Sequence, residues 1–261
     1  MINNENKIHS IDSTSSLQAS SVSAICQNCK QDFIIEIDDF NFYEKIKVPP
    51  PTFCPECRTI RRFLWRNERA LYKRPCNAPG HTEEIISMYS PDVPGTIFDQ
   101  KYWWTDEWDP MQYGKEYNFD VPFLAQFKEL MEQTPLSALQ NVNSTNSEWC
   151  NPAVDNRNCY LSFAATKNEN ANYCDRIANC QDSLDLYVGN KTELSYSSLF
   201  IENCTKVHFS RHVRNCIDSY FLYDCNNCSD CIGCVNLRNK QFHIFNKQYT
   251  KEEYKKEKEK L

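Results

Sequence analysis

The sequence contains little glycine and no long apolar segment. Only 5 of its 261 residues are glycine, and they are scattered, so no glycine-rich loop is available to cradle a phosphate group. The sequence therefore argues against Rossmann and P-loop nucleotide-binding folds. No run approaches the roughly 18 apolar residues that a membrane-spanning helix requires, and we expect no transmembrane segment.

The sequence also lacks a secretory signal and the common catalytic motifs. Residues 1–25 have no basic start followed by an apolar stretch, and their Ser, Thr and Asn content predicts a disordered leader. We therefore predict a cytoplasmic protein, in which thiols stay reduced. GxSxG, HExxH and Walker motifs are absent, which favours a non-catalytic protein over an enzyme acting on a carbohydrate or phosphate substrate.

Cysteine, in contrast, is abundant, with 15 residues. Four of them form two CxxC pairs, Cys26 with Cys29 and Cys54 with Cys57, and a β-prone run lies between the pairs at residues 33–37. Two such pairs complete a tetrahedral thiolate site and are typical of a zinc ribbon. We therefore predict that these four cysteines hold a structural Zn²⁺ ion.

These pairs lie in a segment that resembles a known family. Residues 26–62, with CQNCKQDF followed by FYEKIKVPPPTFCPECRTIRR, resemble a bacterial zinc-ribbon family described as a probable zinc-binding domain without an assigned activity. The longer chain, with YWWTDEWDP at 102–110 and a second half rich in Cys and Asn, resembles uncharacterised multi-part proteins of uncultivated bacteria. The resemblance implies zinc binding by the ribbon cysteines.

Residues 58–74 form a strongly basic segment in a chain whose net charge is −6. Without an internal Pro or Gly, the segment is predicted to be one helix with a continuous cationic face. Phosphate contacts and stacking on aromatic rings would suit RNA or DNA. The residues of this predicted site for nucleic acid or another polyanion are Arg58, Arg61, Arg62, Arg66, Arg69, Lys73, Arg74, Trp65 and Tyr72. The alternative is an interface with the acidic remainder of the chain.

Residues 76–142 are predicted to be a small linking α+β segment. A strand candidate lies at 85–89, and the apolar face of a helix at 122–133 is expected to cap the region that follows. The tryptophans at 103, 104 and 108 stand among acids and fit either a sugar-binding platform or packing. Cys76 and His81 lack further ligands nearby, so we expect no metal site there.

The second half of the chain repeats with a period of twelve residues. Residues 143–250 fit nine twelve-residue rows without a gap, and all ten cysteines of this half fall in columns 2, 5, 8 and 11. The other residues in these columns are mostly small and uncharged, which predicts a narrow β-solenoid with a filled lumen. The coil spacing resembles that of insect antifreeze solenoids, but the outward threonine rows of those proteins are missing.

Asparagine is expected to take the role of the missing glycine in these coils. It recurs in column 1, where it can adopt left-handed corner conformations and bond along the stack. Most rows hold one cysteine, so we interpret the thiols as small apolar filler rather than disulfides. One row differs, because Cys225, Cys228, Cys231 and Cys234 are evenly spaced. Core packing is the favoured interpretation of these four, and a second metal site is the alternative.

Columns 6 and 7 carry a row of aromatic and aliphatic residues. Such a row is expected to pack against the linking segment, a second copy of the chain or a protein partner. Thr250 and Glu253 predict a capping box that starts a charged helical tail at 251–261.

The predicted fold class is therefore α+β to mainly β. Its parts are a leader (1–25), a zinc ribbon with a basic helix (26–75), a linking segment (76–142), a β-solenoid (143–250) and the tail (251–261). The predicted function is that of a non-catalytic zinc-binding protein that binds nucleic acid through the basic helix and presents the solenoid for protein contact. The alternative is a structural or assembly scaffold that binds no nucleic acid.

Overall fold

The computed structural model describes residues 21–65 and 69–261, and the chain divides into two compact units, Met1–Arg66 and Asn67–Leu261. The first unit contains strands β1 (Val22–Ile25) and β2 (Asp32–Ile35) and helices α1 (Ile37–Lys45) and α2 (Pro55–Phe63). β1 and β2 form an antiparallel hairpin, and Phe33 and Ile35 pack against the buried cysteines of this unit. The predicted leader extends to residue 25, but Val22–Ile25 is a strand of the hairpin, and Ala24 packs against this core.

The prediction of one helix over residues 58–74 is wrong. Helix α2 ends at Phe63, and Tyr72–Pro75 forms strand β3. β3 pairs antiparallel with β4 (Glu84–Ser87), so bonds to a separate segment replace the helical bonds that local propensity favours. The basic residues therefore do not share one helical face, and Arg66 lies outside the described residues.

The first part of the second unit is a small α+β segment. After β3 and β4 come β5 (Ile97–Phe98), α3 (Gln100–Trp103), a 3-10 helix (Pro110–Tyr113), α4 (Phe123–Gln133) and β6 (Leu136–Ser137). Trp103 and Trp108 pack against its core, as the packing interpretation expects. No residue of α4 is buried, so this helix does not form the expected cap. Instead, the Gln100 side chain accepts a hydrogen bond of 2.6 Å from the backbone N–H of Asn141, where the solenoid begins.

The rest of this unit is a β-solenoid of about nine turns over residues 141–244. Paired strands run parallel with partners twelve residues apart, such as Ala153 with Ala165. The strands are β7 (Asn141–Val142), β8 (Ala153–Val154), β9 (Ala165–Thr166), β10 (Asp175–Ala178), β11 (Leu184–Asn190), β12 (Tyr196–Glu202), β13 (Thr205–His208), β14 (Arg211–Arg214), β15 (Ile217–Tyr220), β16 (Ser229–Ile232) and β17 (Gln241–Ile244). The antiparallel β18 (Lys247–Gln248) and helix α5 (Lys251–Lys258) follow.

Every third residue of the solenoid points into the lumen. From Ser147 to Cys234, each residue in columns 2, 5, 8 and 11 of the predicted register is buried. The register is thus confirmed, and it follows from the cysteine spacing alone. Successive coils pair on four sides, for example through Thr145 with Arg157, Tyr160 with Asn172, Phe163 with Asp175 and Thr166 with Ala178.

The corners between these sides are residues with left-handed backbone angles, in columns 1, 4, 7 and 10. Asn179 fills a column 1 corner with φ 53°, as predicted, but Val188 fills a column 10 corner of the same coil with φ 58°. A β-branched residue is strained in that conformation, so the closed coil imposes the angle and Asn is not required at every corner. Side-chain amides bond between coils as predicted, with Asn203 donating to Asn215 at 3.2 Å.

Polar side chains in the lumen accept hydrogen bonds from the backbone one coil further on. The N–H of Cys228 donates to Sγ of Cys216 at 3.3 Å, and the N–H of Leu222 donates to Oγ of Ser210 at 2.9 Å. A buried N–H left without a partner costs about 1–3 kcal/mol. Ser, Cys, Thr and Asn in the lumen therefore satisfy the backbone as well as fill space.

The solenoid thiols also donate hydrogen bonds to backbone carbonyl oxygens. Sγ of Cys216, for example, bonds to the carbonyl of Arg214 at 3.2 Å. The cysteines that do so are Cys150, Cys159, Cys174, Cys180, Cys204, Cys216, Cys225, Cys228, Cys231 and Cys234. The thiols are free and buried in the solenoid core, as the filler interpretation predicts, and they are in addition hydrogen-bonded parts of the coil. Burial raises the pKa of Cys150 to about 11 and those of Cys174 and Cys216 to about 12.

Helix α5 covers one end of the row in columns 6 and 7. The predicted capping box is present at Thr250 and Glu253. Tyr254 of this helix is buried against Ile232 and Ile244. Among the described helices, none is long and apolar enough to cross a membrane.

Most of the row remains exposed, so the linking segment does not cover it along its length. Tyr173 is 53% exposed and Phe221 is 58% exposed. Neighbouring rings contact one another from coil to coil, with the ring centroids of Phe209 and Phe221 stacked 5.0 Å apart.

We expect Cys216→Ser to be tolerated better than Cys216→Ala in the full chain. Both substitutions leave a similar space, but only serine accepts the Cys228 N–H and donates to the Arg214 carbonyl, and losing such a buried bond costs about 1–3 kcal/mol. Chemical denaturation measures the difference, and Ser229→Ala, in an outward column, controls for loss of a hydroxyl group. A Cys216→Ala variant at least as stable as Cys216→Ser would show that the thiol only fills space.

Stability should fall at alkaline pH. Burial raises the pKa of Cys150, Cys174 and Cys216, so these thiols stay protonated in the folded chain, whereas thiols in the unfolded chain ionise near their ordinary pKa of 9.0. Above that pH the unfolded state binds fewer protons, so stability present below about pH 8 is lost as the pH rises towards about 12. Denaturation midpoints at about pH 8 and about pH 10 measure the loss. Cys216→Ser should lose less than the unchanged chain, and equal losses would contradict the assignment.

Candidate metal centre

The first unit brings its four cysteines together at one point. Cys26 and Cys29 lie in the turn between β1 and β2, while Cys54 caps the N-terminus of α2 and Cys57 lies in its first turn. All four Sγ atoms are within 4.8 Å of one another. Cys29 is exposed and the other three are buried. The four predicted ligands therefore form one group that could hold a metal ion.

One pair of sulfurs has the spacing of tetrahedral metal ligands. The Sγ atoms of Cys29 and Cys54 are 3.8 Å apart. A tetrahedron with metal–sulfur bonds of about 2.3 Å has edges of about 3.8 Å. All four sulfurs lie within 4.8 Å of one another, so the group could hold a metal ion between four thiolate ligands.

Amide groups are directed at these sulfurs. The backbone N–H of Cys54 donates to Sγ of Cys26 at 3.3 Å, and that of Cys57 donates to Sγ of Cys54 at 3.4 Å. The side-chain amide of Asn28 donates to Sγ of Cys57 at 3.3 Å. Burial raises the pKa of Cys26, but the backbone N–H groups, that of Cys54 foremost, lower it to about 6. These donors favour the thiolate form that a metal ion requires.

The two CxxC pairs reach the centre from different local structures. The first pair sits in a hairpin turn, as expected of a ribbon, whereas Cys54 and Cys57 lie on the first turn of α2. Pro55 at the first helical position favours this start because its fixed φ suits a helix. The helix N-terminus adds positive potential at the thiolates. The four predicted ligands lie in one group, but the second pair does not come from a tight turn of its own.

The solenoid cysteines Cys225, Cys228, Cys231 and Cys234 take a different arrangement. They occupy the four sides of one coil, and each thiol donates to a backbone carbonyl two residues earlier. Within residues 21–65 and 69–261, three or more metal-ligand atoms lie within 4.8 Å of one another in two groups, the four-cysteine centre and one further group. The cysteines from Cys225 to Cys234 belong to neither group. The geometry agrees with the favoured interpretation of these four as packing.

The further group consists of Cys76, His81 and Glu83. The expectation that Cys76 and His81 lack partners is therefore wrong. The loop between β3 and β4 folds these residues towards one another, and Glu83 is the ligand-type residue that the sequence analysis missed. The spacing C-x4-H-x-E in a hairpin loop is the signal that points to it.

The structure separates the predicted polyanion-binding residues. Arg58, Arg61 and Arg62 lie on α2, Trp65 follows that helix and is 75% exposed, and Tyr72 lies on β3.

The other described basic residues of this set have partners within the second unit. Arg69 forms an ion pair with Asp175. Lys73 pairs with Glu84 at 3.3 Å. Arg74 is buried and donates to the carbonyl of Ser90 at 3.1 Å. Among the described basic residues of this set, Arg61 and Arg62 on α2 are also exposed.

The chain matches no protein-family profile and no curated protein. Its function has to be argued from the metal-ligand groups and the surfaces themselves.

Metal binding by the four-cysteine centre should depend on Cys57 and not on the solenoid. We expect Co²⁺ added to the full chain to give the charge-transfer band of a four-thiolate site, since four sulfurs already surround one point. Cys57→Ser should abolish that spectrum, whereas Cys228→Ser should leave it unchanged. A spectrum that survives Cys57→Ser would show that the metal is held elsewhere.

Proposed function

We propose that this protein is a non-catalytic, zinc-stabilised scaffold whose N-terminal unit binds nucleic acid or another polyanion. The observation that carries the proposal is the position of α2, which begins at the four-cysteine centre and presents exposed Arg61 and Arg62, with exposed Trp65 just beyond its end. A metal ion bound at the centre fixes the start of the helix that carries these groups. Binding of the metal and presentation of the cations are thus coupled.

Zinc is the metal that this centre suits best. Four thiolates in tetrahedral geometry select zinc or an iron centre over magnesium or calcium, which prefer oxygen. Four protein ligands leave no open position, and a closed site of this kind is structural. Within residues 21–65 the buried side chains other than the cysteines are those of Phe33 and Ile35, so metal binding supplies a large part of the folding free energy of this segment.

The end of α2 offers the groups that nucleic-acid binding requires. Arg61 and Arg62 are exposed, and Arg62 is oriented by a bond of 2.9 Å to Oγ1 of Thr59. The guanidinium group of Arg61 lies 5.5 Å from the ring centre of Phe53. Guanidinium groups bind phosphates, and an exposed indole such as that of Trp65 can stack on a base.

A second candidate function is an assembly scaffold that binds protein and no nucleic acid. The observation in its favour is that Arg69, Lys73 and Arg74 already have partners in the second unit. The exposed aromatic row of the solenoid would then be the contact surface, for a second copy or another protein. Hydrogen-bonded free thiols in the lumen are consistent with a reducing compartment such as the cytoplasm.

Binding of mixed RNA and DNA oligomers at several salt concentrations tests the proposal. Replacing Arg61 and Arg62 by Gln should weaken binding and lower the slope of log K against log salt by about 2, since each phosphate contact contributes about 0.9. Arg69→Gln with Lys73→Gln removes the same charge from groups already paired, and should change the slope less. Failure of the unchanged chain to bind at low salt would reject nucleic-acid binding and leave the assembly scaffold.

A further inference from the structure

The hairpin loop between β3 and β4 carries three residues with metal-ligating side chains. Cys76 directly follows β3, Glu83 directly precedes β4, and His81 lies between them. One ligand atom from each lies within 4.8 Å of the other two. We propose that this loop is a second metal site, which binds a divalent ion of the zinc class through Cys76, His81 and Glu83.

The hydrogen bonds of Cys76 distinguish it from the solenoid cysteines. Its Sγ accepts the backbone N–H of Ala78 at 3.4 Å and that of Asp99 at 3.2 Å. Cys26 and Cys54 in the four-cysteine centre accept backbone N–H groups in the same way. Every solenoid thiol donates to a carbonyl, and Cys174 and Cys216 accept one N–H group as well. Cys76 therefore has the surroundings of a ligand.

The loop is held in shape by its own bonds and by the core beneath it. The backbone N–H of Cys76 donates to the carbonyl of Glu83 at 3.0 Å, which places the first and last ligands side by side. Nδ1 of His81 lies 2.6 Å from Oε1 of Glu83. The imidazole also packs edge-on against the buried ring of Tyr102, with ring centroids 4.8 Å apart. The ligands are thus positioned before a metal ion arrives.

The donor set defines the class of metal ion. One thiolate, one imidazole and one carboxylate suit zinc and similar borderline ions, and exclude ions that require only oxygen ligands. Three protein ligands leave a fourth position for water or a small anion. Because Cys76 is only 5% exposed while Glu83 is exposed, that position opens towards solvent on the Glu83 side. The site is thus open, unlike the closed four-cysteine centre.

Titration of the full chain with Co²⁺ tests this proposal. We expect two ions per chain, one with the charge-transfer intensity of four thiolates and one with that of a single thiolate. His81→Ala and Cys76→Ser should each remove the single-thiolate ion, and Glu83→Gln should weaken its binding at least about tenfold. Glu84→Gln is the matched control, since its carboxylate pairs with Lys73 outside the loop.

The outcomes separate this proposal from that of the zinc-stabilised unit. If the unchanged chain binds one ion that Cys57→Ser removes and His81→Ala does not, the loop site is rejected and the four-cysteine centre stands. If His81→Ala removes the ion and Cys57→Ser does not, the loop site stands alone. Because Cys76 is buried and its substitution can disturb folding, His81→Ala, at a partly exposed position, is the deciding variant.

Discussion

Each coil of the solenoid is tied to the next by hydrogen bonds from backbone N–H groups to polar side chains in the lumen. One residue in three faces the lumen, and a different one in three forms a corner. Some backbone N–H groups therefore point towards the lumen, where water cannot reach them. Small side chains with an oxygen or sulfur atom are the ones that both fit the lumen and accept these bonds. The unusual content of Cys, Ser and Asn follows from this requirement.

The same chemistry divides the cysteines of the chain by function. In the lumen each thiol is buried and donates to a carbonyl, as Cys216 does. In the four-cysteine centre and in the β3–β4 loop, Cys26 and Cys76 accept backbone N–H groups. Spacing alone does not separate these groups, because the series from Cys225 to Cys234 resembles a metal motif and yet lines one coil. Donation to a backbone carbonyl is the bond that the ten lumen thiols share, although Cys174 and Cys216 also accept an N–H group.

Much of the fold could be predicted from the sequence because it is periodic. The cysteine columns identify the lumen, the CxxC pairs identify the four-cysteine centre, and Thr250 with Glu253 identifies the start of the last helix. Periodicity did not predict the structural features that depend on pairing with residues distant in the sequence. The sequence predicts a helix up to residue 74, but in the structure Tyr72–Pro75 pairs with β4 as a strand. Left-handed corners at residues such as Val188 are imposed by closure of the coil.

The grouping of Cys76, His81 and Glu83 was not predicted, for a related reason. Cys76, His81 and Glu83 do not form a recognised motif, and they meet only because β3 and β4 pair and close the loop between them. Tertiary pairing thus removed one predicted feature, the long basic helix, and created another. Of the basic residues predicted to share one helix, Arg58, Arg61 and Arg62 lie on α2, which begins at the four-cysteine centre.

Cysteine alkylation of the native, metal-loaded chain, followed by mass spectrometry with and without a chelator, tests this division of the thiols most directly. On chelation we expect Cys26, Cys29, Cys54, Cys57 and Cys76 to become reactive, while the ten lumen cysteines stay unmodified until the chain unfolds. Modification of lumen cysteines in the folded chain, or reactivity of Cys225 to Cys234 appearing on chelation, would contradict the assignment.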